Sequence, residues 1–458
     1  MRRLVLPLII VIASIFTTCH GDVVLSEEAQ VSARFSPSEI RLIMGNTTQV
    51  NYTLVVDKKA LSSSAKSLQV EFRLITLSPQ LEIVEFEPIS SGSYKNDTTN
   101  SIHVVNIDIR HLHQENYLFN SSFYLKATYI GHAIIKLKSK LLMVDGKEES
   151  LNIATATNGQ ITIIRNEGLL DKIFMYSVIV FITISYINLG AQIDIDNVRR
   201  LVATPKIIFF GFLIGIVVMP SCSWLAGHLL FQDQPMYRVG SFIYACAPAA
   251  SASVLWTVMF DADKELALGL QIASTVGALI TMPIFLYAMD KSIDLEGQYT
   301  IKVPYLNLTR TLVVLLIALL IGSRLVGRNK RARQISQMIF RPLTMFVLLF
   351  IIMFSSIVYW YVYQMFNLHI TLMAFLVTCA TYILSGLLGY LIKRDIDHMI
   401  TISISSTYRN SGIAFAALVV AFQPPDIFIA YVPCLTQVVT TSLIGLVFYA
   451  VKSLRKKK

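Results

Sequence analysis

From Ile173 to the C-terminus the sequence is a succession of long apolar runs, nearly free of charge. A bilayer core about 30 Å thick needs about 20 apolar helical residues to cross it. Inside it, backbone polar groups must be satisfied by the chain itself, so such runs fold as helices. Nine spans are expected, at about 171–190, 204–230, 239–260, 265–288, 309–327, 341–363, 368–392, 398–421 and 427–450. Composition agrees, since 54% of the 458 residues are hydrophobic and 15% are charged, against roughly 25% charged in a soluble domain. An ordinary soluble enzyme, a disordered tail and a fibrous chain are excluded.

Residues 1–168 read differently. Met1-Arg2-Arg3, an apolar run from Leu4 to Phe16 and a small-residue end at Thr17 to Gly21 make a secretory signal peptide, residues 1–21, cleaved near Gly21. In residues 22–168, Leu68, Val70, Phe72 and Leu74 alternate with Gln69, Glu71 and Arg73; Val105, Ile107 and Ile109 alternate with polar residues, as do Ile135 and Leu137. Alternation with period two marks half-buried strands. Turn signals such as Gly45-Asn46 and Asp145-Gly146 separate them. The expected fold is an all-β, immunoglobulin-like sandwich. N-x-[ST] sequons at Asn46, Asn51, Asn96 and Asn120, with a fifth at Asn307, predict a glycosylated ectodomain on the lumenal or extracellular side.

Charge sets the orientation. With the ectodomain outside, the inner loops and the basic tail, 451–458, carry 17 Lys and Arg against five on the outer side. The inside-positive rule therefore puts the C-terminus in the cytosol. The formal net charge of +10 is largely this bias. The run Arg328 to Arg333 reads as an inner loop facing anionic lipid rather than nucleic acid.

Two spans are interrupted by small and polar residues, at Cys246-Ala247-Pro248-Ala249-Ala250-Ser251-Ala252-Ser253 and at Ser405-Ser406-Thr407-Tyr408-Arg409-Asn410-Ser411-Gly412. A shift of 162 residues places Cys246 on Tyr408 and Tyr287 on Tyr449. Spans 1–4 then pair with spans 6–9, and the single crossing between them inverts the second set. That is the inverted-repeat plan of secondary transporters. Pro248, Ala249 and Ala250, and Ser411 and Gly412, are the expected helix breaks. Irregular backbone at membrane depth is tolerated only against protein or a water-lined cavity.

Arg409 is the one Lys or Arg that these spans bury near mid-membrane. Such a residue costs about 2.5–3.5 kcal/mol on insertion scales and needs a partner. Three roles are open: a fixed cation for an anionic substrate, a tethered charge where a mobile cation would otherwise bind, or a clamp on carbonyls freed at the breaks. No metal cluster, phosphate loop or nucleophile motif occurs, so neither a metal centre nor an enzyme is expected.

Residues from about 170 to 450 resemble the sodium/bile acid cotransporters, the bile acid:sodium symporter family. The resemblance rests on Leu189-Gly190-Ala191-Gln192, Val218-Met219-Pro220, Cys246-Ala247-Pro248 through Ser253, Ser274-Thr275, Met282-Pro283, Arg409-Asn410 and Ala421-Phe422-Gln423-Pro424-Pro425-Asp426. The signal peptide and β-rich ectodomain resemble the family's orphan branch. The resemblance implies a core and a panel domain, with two broken helices crossing in the core, and transport by alternating access. It implies sodium held by a Ser-Asn pair after the first break, hydroxyls one helix later, and Glu and Gln in the second break. This sequence has Ser253 and Val254, then Ala267 and Gln271, then Ser405 and Arg409 at those positions; Gly215 stands at a further glutamine position. Ser253 and Asn410 survive. The candidate substrate and ion residues are therefore Ser253, Gln271, Thr275, Ser405, Arg409 and Asn410.

The expectation is a polytopic α-helical membrane protein, nine spans in an inverted repeat over 169–450 with two broken, crossing helices, behind an all-β ectodomain at 22–168. Its expected function is secondary transport of a small amphipathic anion of bile acid or steroid-conjugate type in the plasma membrane, without organic cofactor and with doubtful sodium coupling. The alternative is a non-transporting protein of the same fold that binds a protein partner through the ectodomain. Transport predicts a cavity where spans 3 and 8 cross; the alternative predicts a plugged crossing with Arg409 satisfied by carbonyls.

Overall fold

The computed structural model describes the chain outside residues 1–30, 37–38, 58–60, 62–64, 77–83, 88–101, 109–116, 145–147, 152–158, 167, 192–204, 233, 294–304, 328, 394 and 457–458. The expected signal peptide and the sequon at Asn96 lie outside the described residues. The chain forms two compact units, one of residues Gly21–Asn166 and one that holds Glu167–Lys458.

The first unit is β-rich. Its strands are β1 (Val31–Ser36), β2 (Glu39–Ile43), β3 (Thr47–Val56), β4 (Ala65–Thr76), β5 (Val84–Glu87), β6 (Ile102–Asp108), β7 (Leu118–Ala127), β8 (Gly131–Met143), β9 (Glu148–Leu151) and β10 (Gly159–Ile164). They form a four-stranded sheet, β1-β3-β7-β5, and a six-stranded sheet, β2-β10-β8-β4-β6 with β9 beside β8. Pairing is antiparallel except between β10 and β2. The alternation read in 68–74 buries Leu68, Val70 and Phe72 completely. The sheets meet through aromatic rings: Tyr52 of β3 lies 4.8 Å from Phe72 of β4, and Phe72 lies 5.6 Å from Phe123 of β7. Such offset ring contacts add to the area that each large side chain buries.

The second unit is helical. Its elements are α1 (Leu169–Ala191), α2 (Pro205–Leu230), α3 (Pro235–Cys246), α4 (Ser251–Met259), α5 (Lys264–Ile293), α6 (Tyr305–Ile321), α7 (Lys330–Val358), α8 (Leu368–Lys393), α9 (Ile396–Thr407), α10 (Ser411–Ala421) and α11 (Asp426–Lys456). A π turn, Gly322–Val326, extends α6, and a 3-10 turn, Trp360–Met365, follows α7. Among the described residues, five helices are long and apolar enough to cross a membrane, and the pair Lys330–Phe340 and Pro342–Val358, bent by 44°, makes a sixth. The halves α3, α4, α9 and α10 are 9 to 12 residues each, too short to cross singly.

The sequence expectation is displaced at the sixth span. Helix α7 starts at Lys330 rather than 341, because Asn329 caps it: its Oδ1 accepts from the Arg331 and Ala332 amides at 3.0 and 3.4 Å. Lys330, Arg331 and Arg333, expected on a loop, are helical. Pro342 bends the helix because it has no N–H to donate.

Close helix contacts need glycine. At Gly190 of α1 a Cβ would meet the Leu319 carbonyl of α6, and at Gly322 the Ile187 carbonyl. Small residues let membrane helices approach this closely, where packing rather than the hydrophobic effect drives association.

Candidate functional site

The chain opens between α3 and α4 where Pro248 can donate no hydrogen bond. The residue before a proline is biased to extended backbone, and Ala247 has φ −61° and ψ 151°. Ala250 is likewise extended and precedes α4. The second opening, between α9 and α10, contains no proline. Tyr408 and Asn410 have extended backbone there, and the Asn410 side chain caps α10 by accepting from the Ile413 amide at 3.1 Å. Asparagine is among the best residues for this, since its side-chain oxygen replaces a missing turn. Pro248, Ala249 and Ala250 thus stand in a break, as expected. Ser411 and Gly412 do not: they begin α10, and the break is Tyr408-Arg409-Asn410.

The two extended segments lie against each other in an antiparallel bridge between Ala249 and Arg409. The Ala250 amide donates to the Tyr408 carbonyl and the Asn410 amide to the Pro248 carbonyl, both at 2.9 Å. The Ala249 amide donates to Ser274 Oγ at 3.0 Å. In this way the backbone groups released by both openings find partners inside the protein, as a low-dielectric interior requires.

Arg409 leaves this bridge and is 4% exposed. Its guanidinium donates to the Ala247 carbonyl at 3.3 Å, to the Gly215 carbonyl of α2, and to Met219 Sδ at 3.4 Å. A Cβ on Gly215 would lie 3.5 Å from Arg409 Nη2, at ordinary contact distance, so the guanidinium packs directly beside this glycine. Among the described residues no carboxylate pairs with Arg409. The nearby acids of the sequence are used elsewhere: Asp261 pairs with Lys452 at 3.2 Å, and Asp263 lies 3.8 Å from His398.

A cavity of about 260 Å³ adjoins the crossing. Tyr186, Tyr244, Trp256, Gln271, Arg409 and Asn410 are among the residues that line it, as are Ala250, Ser411 and Gly412. Arg409 is therefore satisfied by carbonyls and also borders a cavity, so the two sequence alternatives meet in one arrangement.

Of the six candidate residues, Gln271, Arg409 and Asn410 come together on this cavity. Ser253, Thr275 and Ser405 are buried but do not line it. The Ser253 hydroxyl donates to the Ala250 carbonyl at 2.7 Å and the Thr275 hydroxyl to the Gln271 carbonyl at 2.8 Å. Gln271 Oε1 and Ser405 Oγ are buried without a hydrogen-bond partner among the described residues. Sodium takes oxygen ligands, and these residues supply neutral oxygens only.

Tyr186 of α1 was missed by the sequence reading. Its hydroxyl receives the Asn410 Nδ2 donor at 3.4 Å and bonds Thr275. The available signal was its spacing with Ile182 and Leu189, which puts all three on one helical face. The stack of Trp256 on Tyr408, centroids 5.6 Å apart, also escaped it.

The sequons are placed as follows. Asn46 is in the turn before β3, whereas Asn51 and Asn120 are exposed on strands β3 and β7. Thr53, the hydroxyl residue of one sequon, donates to Asn120 Oδ1 of another at 2.6 Å. Asn307 lies in the first turn of α6.

Helices of this length and apolarity, with two interrupted pairs bridged at their breaks, define a polytopic membrane protein. Residues 178–365 match the model of the sodium bile acid symporter family. Relatives of the chain include the sodium-dependent organic anion transporter of Bos taurus, 30% identical over 34% of this chain and 40% of that protein. The probable sodium/metabolite cotransporter BASS1, chloroplastic, of Arabidopsis thaliana is 28% identical over 58% of this chain and 64% of its own length. The sodium/bile acid cotransporter 5 of Mus musculus is 23% identical over 56% of this chain and 58% of its own length. The chain thus spans between two fifths and two thirds of the length of these relatives.

Proposed function

We propose that this protein is a secondary transporter of a small amphipathic organic anion, of bile acid or steroid-conjugate type, whose sodium coupling is lost or reduced. The observation that carries the reading is Arg409: a buried cation with no carboxylate partner among the described residues, bordering a cavity lined by aromatic rings. A fixed guanidinium there attracts a carboxylate or sulfate and repels a mobile cation. It supplies permanently the charge that sodium would bring to the site. Ser405, where the resemblance expects glutamate, removes the anion a sodium ion would need. The match to sodium-dependent anion carriers supports the substrate class.

The reading includes nine spans in an inverted repeat, with α3–α4 and α9–α10 counted as one broken span each. Their repetition about 162 residues apart supports this, as Ala247 and Arg409 illustrate. It places the β-rich unit, as an immunoglobulin-like sandwich with its glycans, outside the plasma membrane and the basic tail in the cytosol.

The test is uptake of steroid sulfates and bile acids by cells expressing the protein, with sodium replaced by choline. Uptake that persists in choline supports the reading, and steep sodium dependence overturns it. Arg409→Gln with Ser405→Glu is expected to create sodium dependence. One observation favours a second reading, a non-transporting protein that binds a partner through the β-rich unit: the Arg409 guanidinium holds two backbone carbonyls across the crossing. Absence of anion binding in a thermal-shift screen, for wild type and Arg409→Ala alike, would favour it.

A further inference from the structure

The structure assigns a phospholipid site to a groove between α1, α6 and α10, with one acyl chain in the groove and the phosphate diester at Arg310. The inference needs only that these helices stand in a bilayer, so it holds or fails independently of transport.

Another cavity of about 260 Å³ lies between these three helices. Its lining runs from buried residues, Val178 of α1, Leu315 of α6 and Phe415 of α10, to exposed ones, Ile179 and Val314. It is therefore a groove that opens on the outside of the helices, where lipid tails stand. Along α1 the lining extends from Met175 to Thr183, a rise of about 12 Å at 1.5 Å per residue. The groove follows from how α1 and α6 meet. They touch at backbone distance where Gly190 faces the Leu319 carbonyl and Gly322 the Ile187 carbonyl. Small residues permit that approach. Before Gly190 on α1, and over the whole of α6, the sequence has no glycine, so larger side chains hold the two helices apart toward their N-terminal ends.

Two of the lining residues are polar, Thr183 and Arg310. The Thr183 hydroxyl donates to the Ile179 carbonyl at 2.8 Å and is spent on its own helix. Arg310 is exposed and has no carboxylate partner among the described residues. It stands about one turn before the apolar stretch Val313–Arg324. That is the level at which hydrocarbon gives way to headgroups, where arginine lays its stem on apolar surface and keeps its charge in the polar layer. Val314, four residues on, shares its helix face, so the guanidinium adjoins the groove. A planar fork of donors matches two phosphate oxygens at once. The occupant must be apolar over the length of the groove and anionic at one end. A sterol leaves Arg310 unanswered, and a small anion leaves the groove empty; a phospholipid meets both demands.

The test uses the full chain, purified in detergent and titrated with phosphatidylglycerol that carries a diazirine in one acyl chain. Illumination and peptide mapping are expected to place adducts within residues 175–183, 310–315 and 415–419. Arg310→Gln is expected to weaken labelling at least about fivefold, the worth of one basic side chain at a lipid surface, and Arg310→Lys to recover part of it. Val314→Trp changes an exposed position and obstructs the groove; it should abolish these adducts while the protein still elutes as a single folded peak. Phosphatidylcholine, which shares the phosphate diester, should compete. Three results would overturn the inference: adducts confined to other helices, labelling unchanged in Arg310→Gln or Val314→Trp, or competition by diacylglycerol, cholesterol or oleate as strong as that by phosphatidylcholine.

Discussion

The Arg409 guanidinium donates at 3.3 Å to the carbonyl of Ala247, 162 positions earlier in the first interrupted segment. One break thus contributes the cation and the other the acceptor. The Ala247 carbonyl is available because the extended backbone at the end of α3 carries it away from the next turn. A side chain with several donors in a rigid fork suits this position, since it reaches Ala247 and Gly215 at once.

Removing that fork should cost both stability and ligand binding. Arg409→Met leaves the Ala247 carbonyl buried without this donor, which costs about 1–3 kcal/mol. Anion-dependent thermal stabilisation of the purified protein should disappear. Arg409→Lys should restore charge but not the two carbonyl contacts, giving intermediate melting temperature. Wild-type melting behaviour in both variants would contradict this account.

Gly215 and Arg409 should behave as a coupled pair. A side chain at Gly215 enters the space of Arg409 Nη2 and of Ser406 Oγ, each 3.5 Å from its Cβ position. Gly215→Gln alone should overpack the crossing and lower stability by roughly 1–3 kcal/mol. Combined with Arg409→Gln, the cost should fall, because the guanidinium is gone. A double-mutant cycle on melting temperature measures the coupling, and strictly additive effects would refute it.

The α1–α6 contact should tolerate no methyl group. Gly190→Ala places a Cβ against the Leu319 carbonyl, a backbone atom that cannot turn aside as a side chain can. Separation of the two helices is the remaining response. We expect reduced yield of folded protein and a lower melting temperature, read by size-exclusion fluorescence. Ala at Gly45, where no atom lies within 4 Å but φ is +86°, should act through backbone strain alone.

His103 should make the β-rich unit acid-sensitive. It is buried among Phe72 and Phe123, and burial pushes its pKa below the ordinary 6.5. Between the folded and unfolded pKa values the unfolded chain binds more protons, so stability falls as pH drops below about 6.5 and is constant above it. Urea unfolding of the β signal at pH about 7.5 and about 5.5 should show the loss, and His103→Leu should flatten it. A slope of the opposite sign would exclude His103 as its source.

Much of the architecture was legible in the sequence because it follows from local periodicity. The apolar runs became helices, and the alternation at 68–74 became a strand with its apolar side buried. Pro248 located one break by its chemistry. The other was displaced, since in Ser405–Gly412 no residue forbids a helix, and only the Asn410 cap decides where α10 begins. The start of α7 was missed for the same reason, because Asn329 overrides the basic residues that resembled a loop. Within the site, the buried cation was evident from span positions, but its partners Gly215 and Met219 were not. They lie about 190 residues away, and no spacing rule connects them. Tyr186 was hidden for a related reason: in an apolar run its hydroxyl looks incidental until Asn410 stands beside it.

The paired hydrogen bonds between Ala250 and Tyr408, and between Asn410 and Pro248, are made by main-chain atoms. Only proline at position 250 or 410 would delete them, by removing the donating N–H, and neither segment can slip along the other without breaking both. They act as a rivet through two half-helix pairs. They tie the four half-helices to one another at their open ends, independently of the side chains around them, while Asn410 also reaches across to Tyr186 of α1.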